Sequence, residues 1–241
     1  MKRHCMIFLL AGLCLSLPAQ PESQKGYIGA SVGMAIPVDN FASAAIDNDQ
    51  AGYARPGFNA LISTHLHVRE SIGFVGMLGY NHNPYNENLF IGNYLSQYPG
   101  QQYQFSSGDY ELMNLLSGVF FSIPQGILDI NLRGYIGISV ALLPATNSSS
   151  DSGISGDPHF VLETEKNRST AFTYGGGVNL MFYTNTNLAI IVDANYIYTE
   201  PEFNAVEIRV YEDGDLTMLS GIDLKQKFQV ISLGAGLAFI F

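Results

Sequence analysis

Three sets of side chains in this sequence are of types that could do chemistry. The first is Arg133 with Asp129 and Asp193, accompanied by the amides Asn131, Asn179 and Asn195. A guanidinium and a carboxylate at similar depth inside a protein must pair, because an unpaired buried charge is costly. The spacing leaves open whether Asp193 or Asp129 is the partner. The second is His65 and His67, an i, i+2 pair on one face of a strand. Such a pair can hold a metal only with further ligands, and the sequence offers none, so two hydrogen-bonded interior histidines are expected. The third comprises Ser31, Ser63 and Ser139 with His82 and Asp109 or Asp193. A hydrolytic set would have to converge within hydrogen-bond reach near one rim, and nothing in the spacing singles one out. No hydrolase elbow, phosphate loop or zinc-protease helix occurs. No catalytic, cofactor-binding or metal-binding residue is therefore assigned, and the Arg133, Asp193, Asp129, Asn131 and Asn195 group is read as a structural polar network.

Strands must position these groups. In residues 27–37, Ile28, Ala30, Val32, Met34 and Ile36 share one parity, and Gly29, Ser31, Gly33 and Ala35 the other. Strand side chains alternate between faces, so one face is apolar and the other small and partly polar. The same alternation recurs in residues 58–68, 72–80, 128–142, 172–182, 188–199 and 231–241. It puts Arg133 and Asp193 on the polar face at similar depths. Residues 109–123 form a weaker segment in which neither parity is clean; its facing is left open, and a bulge would account for the pattern. Eight such segments of about ten residues are the length and even count expected of an antiparallel up-and-down transmembrane β-barrel. Closure would satisfy every backbone group, which lipid cannot do. A soluble sandwich would instead expose a charged face, and here the second face is Gly, Ser, Asn and other small residues. An eight-stranded barrel is just wide enough to be filled by side chains, so a plugged lumen is expected, with a gated polar path as the alternative.

The connections alternate between short and long. Arg69-Glu70, Pro124-Gln125-Gly126 and Asn185-Thr186-Asn187 read as tight turns, and residues 38–56, 83–107, 144–169 and 200–226 as long loops. Outer-membrane barrels have short periplasmic turns and long extracellular loops, which predicts both termini in the periplasm. The loops are acidic. Loop four carries Glu200, Glu202, Glu207, Glu212, Asp213, Asp215 and Asp223 against Arg209 and Lys225, and its Asp213-Gly214 between two alternating runs signals a hairpin. Asp47-Asn48-Asp49 and Asn147-Ser148-Ser149-Ser150-Asp151 read as solvated loop, without the spacing of a calcium-binding hand, with divalent ions held between the loops as the alternative. Loop two is aromatic, with Tyr85, Phe90, Tyr94, Tyr98 and Tyr103, and is expected to pack on itself, with a cover over the mouth or an adhesive surface as alternatives. Tyr27, Phe58, Tyr80, Phe120, Phe121, Phe172, Phe182, Tyr196, Tyr198, Phe239 and Phe241 fall near strand ends, where barrels carry interfacial aromatic girdles.

Composition agrees. Charged residues are 13 % of the chain, against about a quarter in ordinary soluble domains. The net charge of −10 argues against nucleic acid as a partner. Lys2, Arg3 and His4 precede an apolar run over residues 6–17, which reads as an export signal occupying residues 1–20. Both cysteines, Cys5 and Cys14, lie in it, so the domain over residues 21–241 has neither disulfide nor thiol ligand.

Residues 26–33 (GYIGASVG), 174–178 (YGGGV) and 233–241 (LGAGLAFIF) resemble the small outer-membrane β-barrel domain often called the porin family, which shares its architecture with OmpA- and OmpX-type barrels. The resemblance spans nearly all of residues 21–241. It implies a Gram-negative outer-membrane location, with lipid, lipopolysaccharide and the assembly machinery as partners, and Phe241 looks like the assembly signal. It says little of activity. A non-enzymatic monomeric scaffold is the reading taken forward, with a narrow pore for small solutes or a lipid A-modifying enzyme as alternatives.

Overall fold

The computed structural model describes residues 26–48, 50–151, 159–184 and 187–241. The export segment read over residues 1–20, Asp49 of loop one, and Asn185 and Thr186 of the last tight turn lie outside them. No described helix is long and apolar enough to cross a membrane.

Eight long strands close into an antiparallel barrel. In chain order they are β1 (Gly26–Pro37), β2 (Gly57–Arg69), β3 (Ile72–Asn83), β5 (Tyr110–Gln125), β6 (Leu128–Leu143), β9 (Asn167–Tyr183), β10 (Leu188–Thr199) and β13 (Phe228–Ile240). Each pairs with its neighbour in this order, and β13 pairs back onto β1 from Tyr27↔Ile240 to Pro37↔Val230. The alternation sets the facing. Val32 is 58 % exposed on the outside of the wall and Ser31 is buried within it. Ile136 and Tyr135 divide in the same way on β6.

The strand whose facing the pattern left open, β5, turns Tyr110, Leu112, Asn114, Leu116, Phe120 and Ser122 inward and Met113, Leu115, Val119 and Phe121 outward. The expectation of a bulge is corrected. Its register is unbroken against β3 and across fifteen pairs with β6. The parity is unclean because Leu112, Leu116 and Phe120 fill the lumen while Leu115 and Phe121 face out, so both faces are apolar. The interior is thus more apolar than small inward residues suggested. Leu61, Val75, Met77, Leu116, Phe120, Tyr135 and Ile197 form one packed layer, and Tyr27, Met181, Ala189, Ile191, Ala238 and Ile240 another. Inward glycines make room for them. A Cβ at Gly73 would lie 2.5 Å from the Phe120 ring, and one at Gly175 2.6 Å from that of Tyr135.

Beyond one end of the barrel, the long connections form a second, five-stranded sheet in the order β12-β11-β8-β7-β4. Its strands are β4 (Gln102–Ser107), β7 (Thr146–Asp151), β8 (Phe160–Thr164), β11 (Glu202–Glu212) and β12 (Asp215–Lys225). The reading of 147–151 as solvated loop is corrected, since β7 pairs with both β4 and β8. Its Thr-Asn-Ser-Ser-Ser-Asp sequence has no apolar alternation; neighbouring strands, not its own pattern, hold it. The β11–β12 hairpin turns at Asp213 (φ 50°) and Gly214 (φ 91°), the two positive-φ positions of a type I′ turn.

Candidate functional site: lumen, mouth and outer sheet

The lumen holds the polar groups that the strand pattern turns inward. At mid-barrel, Arg133 Nη2 on β6 lies 2.5 Å from Asp193 Oδ1 on β10, with side chains 0 % and 2 % exposed. The same nitrogen donates to Asn195 Oδ1 at 2.8 Å. Asp193 Oδ1 also accepts from Asn179 Nδ2 at 3.1 Å, and Asn179 Oδ1 accepts from Asn131 Nδ2 (3.1 Å) and the Tyr27 hydroxyl (2.8 Å). Five of the strand-borne polar groups and Tyr27 thus form one network spanning β1, β6, β9 and β10. Asp129 stands apart. It accepts from the Tyr183 hydroxyl at 2.5 Å, and no ion pair joins it to Arg133 among the described residues. Arg133 Nε and Nη1 and Asp193 Oδ2 are buried with no protein partner. Groups of this kind in folded proteins are met by ordered water.

His65 does not make the hydrogen bonds expected of it. Both its ring nitrogens are buried without a partner. The ring instead stacks on Tyr27 with centroids 4.2 Å apart and meets the edge of Phe120 at 5.0 Å. His67 also packs on Phe120. No group of three or more metal-ligating side chains occurs among the described residues. Tyr27 and Phe120 thereby leave the expected girdle, since their parity points them into the lumen. Sequence reasoning used both as strand-end aromatics; their inward register was the signal that could have placed them.

The serines do not meet a histidine. Ser139 Oγ donates to Asn114 Oδ1 and accepts from Thr173 Oγ1, both at 2.6 Å, inside the wall. Ser31 and Ser63 are buried on β1 and β2. His82 does meet Asp109, Nε2 to Oδ2 at 3.1 Å. However, His82 shares the outward parity of Leu78 and Tyr80, so the pair lies on the outer rim and not in a cleft. Beside it, Lys166 Nζ contacts Glu111 Oε1 at 2.8 Å. These outward charges end the apolar belt at the loop side, as an interface requires.

The loop-side mouth is closed by apolar side chains. A helical turn at Asp39–Ala42 directs Phe41 against Phe228 (4.7 Å) and Tyr110 (5.1 Å). Phe203, Val206 and Val230 complete a buried layer with Leu112 and Ala141. Phe41 and Phe203 were not singled out in the sequence, because one aromatic in a long loop carries no periodic signal. Loop two packs on itself, as the favoured expectation had it, and also reaches the mouth. Its helix Glu87–Gln97 lays Phe90 on Phe105 (4.3 Å) and Tyr94 on Tyr103 (3.8 Å) of β4, while Tyr85 stacks on Tyr53 and Tyr110. Burial among these rings raises the Tyr85 hydroxyl pKa, so it stays protonated.

Above the mouth, Arg209 bridges Glu165 and Glu207 at 2.6 and 2.5 Å. It lines a cleft of about 530 Å³ with Glu163, Glu165, Lys166, Ser106 and Asn147. Its charged lining, Glu163 and Glu165 with Lys166 and Arg209, is balanced in formal charge.

No protein-family model and no curated relative matches the chain. Among solved structures, it is similar to the attachment invasion locus protein of Yersinia pestis in complex with a heparin analogue, at 16 % identity and TM-score 0.42 over 89 % of this chain and 99 % of that one. It is also similar to Neisserial surface protein A, at 16 % identity and TM-score 0.43, covering 90 % and 97 % of the two chains. The outer-membrane protease OmpT of Escherichia coli matches at 9 % identity and TM-score 0.29, covering 94 % and 99 %. Likenesses at this level fix neither activity nor partner. The exterior of the barrel is more informative. Val32, Phe74, Leu115, Ile136, Phe172 and Leu237 face out in a continuous apolar belt. A closed wall with that exterior is built to stand in hydrocarbon.

Proposed function

We propose that the chain is a non-enzymatic outer-membrane barrel that holds a folded sheet outside the cell, with both termini in the periplasm. The observation that carries this reading is the asymmetry of the two ends. One has connections of only a few residues, at 70–71, 126–127 and 184–187; at the other, the connections build β4, β7, β8, β11 and β12. A wall closed at its mouth by Phe41, Phe203 and Phe228 and plugged at mid-height by the Arg133 network favours a scaffold over a pore. The outward position of His82 and Asp109 favours it over an enzyme. Lipid and lipopolysaccharide are the partners of the apolar belt and of the charged outer rim, and Phe241, exposed just after β13, is the element offered to the assembly machinery. The chain is read as a monomer within its own membrane, since closure leaves the barrel no edge.

The test combines fractionation with surface accessibility. The unboiled chain should run as a heat-modifiable band in the outer-membrane fraction. An epitope inserted at Gly214 should bind antibody on intact cells, and one inserted at Gly126 only after the membrane is opened. A soluble band without a heat shift, or reversed accessibility, refutes the reading. Steps of ion conductance from the purified protein in planar bilayers would replace the scaffold with the pore.

A further inference from the structure

Among the described residues, β12 is one of the two edges of the outer sheet, the other being the shorter β4. β12 is eleven residues long, and every residue in it is exposed or partly so. Edge strands normally carry charges, prolines or bulges that discourage pairing. Here the seven residues from Leu216 to Ile222 contain no charge and no proline, and a shift of register places one bulge at Thr217, toward the tip. Leu216, Met218, Leu219 and Ile222 lie open on this strand. Such an edge is a template for another strand.

We infer that it pairs with β12 of a second copy of this chain, antiparallel and two-fold symmetric about Ser220, and that the two copies stand in apposed membranes. This rests on the display reading above. The sequence of the strand is complementary to itself in that register. Met218 faces Ile222 of the second copy, Leu219 faces Gly221, and Ser220 faces Ser220. At the ends, Asp215 comes beside Lys225; the bulge at Thr217 displaces this contact by at most about one residue, within reach of a lysine. Lys225 touches Glu202 in its own hairpin at 3.4 Å but is 59 % exposed, and so remains available. The charges also choose the geometry. If β12 runs on from β13 along the membrane normal, two copies standing the same way up in one membrane would align it in parallel, which sets Asp215 against Asp215, Asp223 against Asp223 and Lys225 against Lys225. Like charges directly opposite are unfavourable. The antiparallel register sets the tip of one hairpin against the base of the other. Because the base of β12 leads through two residues into barrel strand β13, the two barrels then face each other mouth to mouth. Eleven residues at about 3.3 Å hold those mouths roughly 36 Å apart. A self-complementary patch of this kind is an isologous interface.

The experiment uses the full chain in phosphatidylcholine–phosphatidylglycerol vesicles, with donor-labelled and acceptor-labelled populations mixed and tethering read by energy transfer. Insertion is checked by the heat shift on gels. Wild-type vesicles should tether. Vesicles carrying Lys225→Asp should tether about ten-fold less among themselves, as should those carrying Asp215→Lys, because each places like charges at both ends. A mixture of the two should recover, since every end pair is again opposite. Ser220→Cys should form disulfide-linked dimers between the populations under mild oxidation. Inserted wild-type protein that does not tether overturns the pairing while leaving the barrel intact; absence of a heat shift overturns the barrel reading and the pairing with it. Equal tethering by all variants assigns the contact to another surface. Dimers formed by Ser220→Cys within one membrane, without tethering, overturn the apposed geometry.

Discussion

Replacing Asp193 by alanine should be among the most damaging single substitutions in the wall. At 2.5 Å and an effective dielectric of about 20, the attraction between Arg133 and Asp193 is about 6–7 kcal/mol. Desolvating two fully buried ions offsets most of it, so the intact pair contributes little relative to a well-packed apolar pair. Removing one partner is different. Arg133 keeps its whole desolvation cost and retains only the neutral Asn195 acceptor, which puts the loss at about 3–5 kcal/mol. The chain has no tryptophan, so urea unfolding in lipid vesicles would be followed by unboiled gel mobility and far-ultraviolet dichroism. With a urea dependence of about 2 kcal/mol per molar, the Asp193→Ala midpoint should fall by roughly 1.5–2.5 M. The double variant Arg133→Met with Asp193→Leu should lie within about 1–2 kcal/mol of wild type, because no lone charge remains. A single-variant loss below about 1 kcal/mol, or a double variant that costs the sum of its parts, would refute the reasoning.

Three further outcomes follow from other parts of the molecule. Phe203→Ala with Phe228→Ala empties the apolar layer at the mouth, where both rings are fully buried; ion leakage through reconstituted barrels should rise over wild type, and no rise would place the barrier at the Arg133 layer instead. Leu115→Arg, at a position 60 % exposed on the lipid side, should cost about 2–4 kcal/mol if it sits at mid-bilayer, measured by urea unfolding in vesicles. Gly73→Val meets the Phe120 ring at 2.5 Å and the Leu66 carbonyl oxygen at 2.2 Å, so it should cost about 1–3 kcal/mol and lower the yield of heat-modifiable protein.

The barrel was legible in the sequence because lipid leaves strands no freedom of facing. Ile28, Ala30, Val32 and Met34 had to share a face, and that face is the outer one. β5 was not legible, since Leu116 inside and Leu115 outside have the same polarity. The outer sheet was half legible. The Asp213-Gly214 turn declared its hairpin, but β7 is Thr-Asn-Ser-Ser-Ser-Asp and takes its extended form from pairing with β4 and β8, which no local pattern encodes. In the lumen, equal depth and equal parity brought Arg133 toward Asp193, whereas the choice between Asp193 and Asp129 depended on the Tyr183 hydroxyl, 54 residues from Asp129 in sequence but hydrogen-bonded to it in space. The stacking of His65 on Tyr27 is likewise a cross-strand contact, from Tyr27↔His65 in the β1–β2 register.

The seam between β13 and β1 bears on how such a chain can be made. Gly26 N–H donates to the Phe241 carbonyl at 3.1 Å, and Phe241 N–H donates to that of Gly26 at 3.0 Å, so the first and last described residues are tied to each other. These contacts join positions more than two hundred residues apart, and closing so long a loop is slow and entropically unfavourable. Until the final strand is in place, β1 and β10 both carry bare edges that hydrocarbon cannot solvate. A chain stalled before Phe228 therefore has no stable intermediate to wait in within the bilayer. Closure must wait for β13, so residues 228–240 decide whether the whole wall holds.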